Sequence, residues 1–253
     1  GVLMSNRRTL SKSNIYHVIA RGTGRQLIYE DDEDRRVFLC ILSDAIEKTA
    51  CDLYAWCLMG NHFHLLIHGE MERVSKCMQR LCGEYAHWFN KRTDRVGHLF
   101  QARFRSEAVD TEAYLLTVIR YIHHNPEKGG ICATSKYRWS SYNEYVNKEA
   151  LCKTLPVLSI IGGRQEFARF HEDLDGSVHC LDVDRLRDRF HISSEDDLIA
   201  AAQETTSHTP LSSIKSLSKP QRNACIRSLK DVGFTIRQIE RLTGIGRNIV
   251  ARA

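Results

Sequence analysis

No stretch of the 253-residue chain holds the run of about 18 apolar side chains that a bilayer-spanning helix needs. The polar segment Ser5-Asn6-Arg7-Arg8 is not followed by the apolar core of a secretion signal. The chain is therefore expected to be soluble and cytoplasmic. Cys-x-x-Cys spacing is missing as well: the nine cysteines, at 40, 51, 57, 77, 82, 132, 152, 180 and 225, are scattered and odd in number. That excludes a disulfide frame or a zinc knuckle and points to reduced thiols. A strong charge of one sign is also lacking. Lys and Arg total 36 against 31 Asp and Glu, a formal charge of +5, which permits a nucleic-acid partner without demanding one. No internal repeat is visible, and Gly1-Val2-Leu3 ahead of Met4 reads as a cloning remnant. A hydrophobic content of 42% suffices for one large domain or two ordinary ones.

What is there begins with alternation. Asn14 to Ala20 sets Ile15, His17 and Ile19 against Tyr16, Val18 and Ala20, a strand pattern, and the basic glycine loop Arg21-Gly22-Thr23-Gly24-Arg25 ends it. Asp31 to Lys48 opens with acidic residues that suit a helix N-terminus and repeats Val37, Cys40, Ile41 and Ala45 at helical spacing. Leu53 to Met59 and His62 to His68, parted only by Gly60-Asn61, predict a tight antiparallel hairpin. Met71 to Lys91 carries the stripe Val74, Met78, Leu81, Tyr85, Trp88, with Arg73, Lys76 and Arg80 opposite. A further strand ends Gly97 to Val109, and Asp110 or Thr111 can cap a helix running to Asn125 before Pro126. The order βαββαβα predicts an α+β domain over 11–145, a ferredoxin-like antiparallel sheet with helices on one face. A linker with short helices around Gln165 to Leu174 and Asp182 to Phe190 is expected over 146–218. An all-α region over 219–253 follows, where Thr235 to Leu242, the turn Thr243-Gly244-Ile245 and Gly246 to Val250 fit a helix-turn-helix.

The chemistry centres on Asn61-His62-Phe63-His64. Strand side chains alternate, so His62 and His64 share one face while Phe63 enters the opposite core. Two imidazoles at one point suit a divalent metal, although paired structural histidines fit the same pattern and His68 adds a competitor. On the helix ending near Asn125, Tyr114, Val118, Tyr121 and Asn125 lie near one face. If that face covers the histidines, Asn125 offers an oxygen ligand and Tyr121 a nucleophile toward phosphate; a core tyrosine is the ordinary alternative, and Tyr114 competes for the role. Mixed nitrogen and oxygen ligands suit Mg2+ or Mn2+. His123 and His124 fit a helix C-terminus, the Arg21 to Arg25 loop either a solvated turn or a phosphate nest, and Gln101, Arg103 and Arg105 either surface charge or a DNA contact. Arg73, Lys76 and Arg80 read as the wet side of their helix.

Gly60-Asn61-His62-Phe63-His64-Leu65-Leu66, Gly97-His98-Leu99-Phe100-Gln101-Ala102-Arg103-Phe104, Arg120-Tyr121-Ile122-His123-His124-Asn125-Pro126 and Trp139-Ser140-Ser141-Tyr142 resemble, in order, the signatures of REP-associated tyrosine transposases, single-tyrosine members of the HUH group. The likeness spans about residues 14–145. It implies the HUH endonuclease fold, a metal held by His62, His64 and Asn125, and Tyr121 as the nucleophile that cuts single-stranded DNA beside a repeat hairpin. The products would be a 5′-phosphotyrosine and a free 3′-OH. It further implies DNA contacts at Arg21, Gly22, Thr23, Gly24 and Arg25, to which the residue pattern adds Gln101, Arg103, Arg247 and Asn248. Asn125 stands where insertion-sequence relatives carry Gln, and Gly60 stands where relatives often carry Pro or Asp. The final helix, ending at Ala253, is shorter than in the family's longer members. The expected enzyme is a metal-dependent DNA endonuclease and strand transferase, working as a monomer or homodimer. A non-catalytic DNA-binding regulator and a phosphoesterase using water are the alternatives.

Overall fold

The computed structural model describes residues 9–172, 180–181, 195–232 and 234–253. The start of the chain and the helical stretch expected over Asp182 to Phe190 lie outside the described residues. Strand β1 (Ile15–Arg21), helix α1 (Asp32–Thr49), the hairpin β2 (Asp52–Met59) and β3 (His62–His68), α2 (Met71–Arg92), β4 (Arg105–Ala108) and α3 (Glu112–His123) follow in the expected order. The sheet runs β2-β3-β1-β4 with every neighbouring pair antiparallel, the ferredoxin-like arrangement. Gly60 and Asn61 alone turn β2 into β3, which sets Met59 opposite His62.

Local chemistry fixes the ends of the elements. Asp31 caps α1 in a reciprocal capping box with Asp34, and the Thr111 hydroxyl caps α3 by accepting from the Tyr114 N–H. Asn125, expected on α3, lies just beyond it. Helix α3 ends at His123, and Asn125 opens the short helix α4 (Asn125–Lys128), because Pro126 lacks an N–H and starts a new turn more readily than it continues an old one.

Alternation along β3 divides the domain. Phe63 enters an apolar core where its ring meets Phe38 of α1 at 4.9 Å, and Phe38 in turn meets Tyr85 of α2 at 5.0 Å. Helices α1 and α2 thus form the expected layer on one face. Helix α3 covers the opposite face, the one onto which His64 projects, and its Tyr121 ring lies 5.8 Å from the His64 ring. The Trp139-Ser140-Ser141 segment shields the outer edge of β2. Leu58 N–H donates to the Trp139 carbonyl and Ser141 N–H to the Trp56 carbonyl, each at 2.9 Å, while Ser141 Oγ accepts from Trp56 N–H. An edge strand is thereby denied to other chains.

The expected linker is divided between two cores. After α5 (Tyr142–Val146), helices α6 (Leu155–Ile161) and α7 (Arg164–Glu172) bury Val157, Leu158 and Phe167 in the core of the sheet domain. Helix α8 (Glu195–Thr205) and residues Leu211 and Ile214 belong instead to a second core, built with α9 (Lys219–Asp231), α10 (Ile236–Thr243) and α11 (Arg247–Arg252). The helical region therefore begins at α8, well before residue 219. Its first apolar groups are too short and too widely spaced among Ser and Thr to display a period. One residue of the sheet domain, Leu27, is buried in this second core, and its N–H donates to the Arg241 carbonyl at 3.1 Å. Among the described residues no helix is long and apolar enough to cross a membrane. None of the nine cysteines is in a disulfide.

Several buried groups titrate far from their ordinary range. Burial holds His64 and His123 well below the usual imidazole value and pushes His171 down to about 3. These three stay neutral in the folded chain and gain protons on unfolding below pH 6.5, so acid favours the unfolded state. Asp34, raised by burial to about 7, acts in the opposite sense for one proton. Burial holds His124 low as well, so the histidines outweigh Asp34, and the metal-free protein is predicted to lose stability as pH falls from 6.5 toward 4.5, by roughly 1–3 kcal/mol per pH unit. Denaturant midpoints at pH 7.5, 6.5 and 5.5 measure it, and a flat series contradicts the neutral histidines.

Candidate active site

On β3 the backbone delivers His62 and His64 to one face, and the groups behind the rings decide which nitrogens look outward. His62 is buried, with Nδ1 2.7 Å from Asn61 Oδ1. The Asn61 amide nitrogen donates to the Arg25 carbonyl, so its oxygen is the acceptor and His62 Nδ1 carries the proton. The lone pair of His62 therefore sits on Nε2. His64 is fully buried, with Nδ1 3.0 Å from His17 Nε2 and with Nε2 lacking any hydrogen-bond partner. Burial first, then the unfavourable couplings a His64 proton would have with His62, His17 and Lys128, keep the His64 ring neutral, the form that binds a metal. His68 is elsewhere. It stacks on Tyr54 at the far end of the strand and faces Asp52.

Helix α3 brings Tyr121 to this face. Its ring stands edge-on to His64 at 5.8 Å and to His17 at 5.9 Å between centroids, and Lys128 Nζ lies 4.2 Å from its centre. The Tyr114 phenol is engaged instead with Glu107: burial and that hydrogen bond hold it above the ordinary range and protonated. The Asn125 amide nitrogen donates to the Tyr121 carbonyl at 2.9 Å, which leaves Oδ1 as the acceptor end of that side chain. His123 and His124 are structural here. The first bonds Ser141 and His171, and the second bonds Thr134 and Glu127.

A buried imidazole nitrogen without a hydrogen bond is costly unless something else satisfies it. Two imidazole nitrogens and one amide oxygen make a donor set that fits a divalent cation. Among the described residues no three His, Cys, Asp or Glu side chains gather as a metal cluster.

The basic loop is anchored to the histidine hairpin. Gly22 N–H donates to the Asn61 carbonyl, and Thr23 N–H to the Leu99 carbonyl, both at 2.9 Å. Gly24 and Arg25 both adopt φ of +64°. Arg21 lies with Gln101, its Nη2 donating to Oε1 at 2.9 Å, so two residues expected to meet DNA form one patch, with Arg103 exposed near by. Arg247 and Asn248 are exposed at the start of α11, far along the chain, and Arg247 pairs with Glu240. Arg73, Lys76 and Arg80 are in ion pairs with Glu70, Glu72, Asp44 and Glu84 on the solvent side of their helices, as expected of a wet face.

Three residues at this site escape a reading of the sequence by motifs. His17 sits among apolar neighbours on β1, and the only clue to it is its parity with Ile19 and Arg21 on the strand beside β3. Asn61 looks like a turn residue, and Lys128 like ordinary helix charge.

The antiparallel four-stranded sheet thus carries its His pair beneath a helical tyrosine. Residues 11–125 match the profile of the family described as "Transposase IS200 like". Among solved structures, the REP-associated tyrosine transposase bound to a REP hairpin is similar at 17% identity and a TM-score of 0.48, over 55% of this chain and 83% of that chain. A protein of Deinococcus radiodurans R1, proposed to be a transposase, is similar at 20% identity and a TM-score of 0.34, over 44% of this chain and 88% of that one. No curated protein matches the chain.

The loop's two glycines differ in what they tolerate. A Cβ on Gly22 would overlap the Gln26 carbonyl oxygen, whereas Gly24 faces open space and is constrained only by its φ. Gly22→Ala is expected to cost about 1–3 kcal/mol by overpacking, and Gly24→Ala about 1 kcal/mol through its left-handed backbone. Chemical denaturation of both variants checks the ranking, and an unperturbed Gly22→Ala contradicts it.

Proposed function

We propose that the chain is a metal-dependent, single-stranded DNA endonuclease and strand transferase of the REP-associated type, acting beside a repeat hairpin. The carrying observation is the placement of the Tyr121 ring over a neutral, buried His64 whose Nε2 has no hydrogen-bond partner. His62, His64 and Asn125 would hold Mg2+ or Mn2+. When bound, the cation supplies Lewis-acid stabilisation of charge on the scissile phosphate.

Tyr121 Oη attacks phosphorus, and the P–O3′ bond breaks. The phenol gives up its proton and O3′ gains one, so none is consumed, and the products are a 5′-phosphotyrosine and a free 3′-OH. The link conserves the energy of the phosphodiester, so a second 3′-OH can reverse the step onto a new strand. Lys128, against the Tyr121 ring, favours the developing phenolate. Tyr121 and both histidines come from one chain, which supports catalysis by a single copy.

Arg21 to Arg25, Gln101 and Arg103 meet the DNA next to the hairpin, where extruded bases expose edges for hydrogen bonding. The α10–turn–α11 unit, with Arg247 and Asn248, adds affinity as a helix-turn-helix. The match of residues 11–125 to the IS200-like transposase profile supports DNA as the ligand of these surfaces.

The test is a labelled hairpin oligonucleotide with a single-stranded flank, incubated with the full chain and Mn2+. A covalent protein–DNA adduct is expected, absent from Tyr121→Phe, while hairpin binding survives in that variant. An adduct that persists in Tyr121→Phe eliminates Tyr121 as nucleophile, and 5′-phosphate release without any adduct identifies water as the attacking group.

A further inference from the structure

His17 is fully buried on β1, has no place in the ligand set above, and is joined to it by a hydrogen bond. In the β1–β3 register His17 lies opposite Leu66 and His64 opposite Ile19, so the two rings are diagonal neighbours on one face. They stack at 5.2 Å with 25° between planes, Nε2 of His17 standing 3.0 Å from Nδ1 of His64. Behind His17, the Glu107 carboxylate lies 4.0 Å from its Nδ1, where β4 pairs Glu107 directly with His17.

Where each ring carries one proton, two imidazoles that share a hydrogen bond have two arrangements. In one, His17 Nε2–H donates to His64 Nδ1, and the remaining proton of His64 then occupies Nε2 and blocks it as a ligand. In the other, His64 Nδ1–H donates to His17 Nε2, and His64 Nε2 carries its lone pair. A carboxylate near His17 Nδ1 favours a proton there, and a proton on Nδ1 makes Nε2 the acceptor. Glu107 thus selects the second arrangement. Both rings are fully buried, so bulk water does not compete for the bond between them. Partners behind a metal-bound histidine fix its tautomer and its angle in this way.

We propose that His17 is a positioning residue, orienting the His64 imidazole so that Nε2 faces the divalent cation, with Glu107 setting the direction of the hydrogen bond. The inference rests on the metal reading of His62 and His64 given above.

The test is Mn2+ affinity of the full chain without DNA, followed by loss of the free-ion EPR signal, with thermal melts and metal-free hairpin binding as checks of folding. His17→Leu removes the acceptor, and Mn2+ binding is expected to weaken by about 10–100-fold. His17→Gln offers an amide oxygen to His64 Nδ1–H and is expected to stay within about threefold of the parent, with Glu107→Gln weaker by a similar few-fold. His17→Asn keeps the polarity but falls short of His64, and is expected to behave as His17→Leu even where the leucine variant fails to fold. Parent-like affinity in His17→Asn or His17→Leu overturns the proposal. Equal loss in His17→Gln and His17→Asn also overturns it, because packing or direct ligation would then explain the residue. A parent that binds no Mn2+ removes the metal reading itself, whereas parent binding matched by the variants removes the role of His17 alone.

Discussion

The strict alternation of side chains along β3 is the constraint on which the molecule depends. Phe63 must go one way and His62 and His64 the other, and the rest of the domain is arranged around that division. The Phe63 side is sealed by the aromatic contacts of Phe38 and Tyr85, the latter held further by its hydroxyl donating to the Ile28 carbonyl at 2.5 Å. The histidine side is left polar and is roofed by α3. A one-residue slip of β3 would place two imidazoles in an aromatic core and a phenylalanine under Tyr121. The two-residue turn at Gly60-Asn61 leaves no slack for such a slip, and the bonds from Ile28 and Tyr29 to the Gly60 carbonyl pin the tip.

Each histidine of the pair is braced from behind, but by different means. His62 is held by its own neighbour, Asn61, which also reaches the basic loop through Arg25. His64 is held across the sheet by His17. The hairpin tip is consequently shared between loop and imidazole, so a shift of Arg21 to Arg25 reaches His62 through one side chain. The neutral state that burial imposes on His64 serves ligand chemistry at a cost to stability in acid. A solvent-exposed histidine would show the reverse balance.

Much of this was legible in the sequence because it was written in periods. The strands, the hairpin, the amphipathic α2 and the parity of His62 with His64 follow from spacings of two and of three to four residues. The break before Asn125 was half legible: Pro126 announced an end, but not that Asn125 would begin the next turn. His17 was not legible, since its meaning depends on β1 lying beside β3 and on a diagonal across the register. The roles of Leu198, Leu211 and Ile214 were hidden for a related reason. Each is a lone apolar group or a pair among polar residues, and only the second core assembles them.

The seam between the two cores explains why the helical region is more than an appendage. Gln26 follows the basic loop directly; its Oε1 accepts from the Arg95 guanidinium at 2.9 Å, and its amide donates to the Leu99 carbonyl. Gly244, the left-handed residue that ends α10 at a φ of +67°, packs so closely on Gln26 that a Cβ there would strike its side chain. Leu27, next in sequence, is buried among the C-terminal helices, and Ser212 N–H donates to Glu30 Oε1 at 2.9 Å. Residues 26 to 30 are therefore held by both cores at once. The loop that precedes them cannot change its path without disturbing either the turn before α11 or the hairpin tip beside His62. Rigidity of that kind gives the two basic surfaces a fixed geometric relation, which a flexible linker over 146–218 would not have supplied.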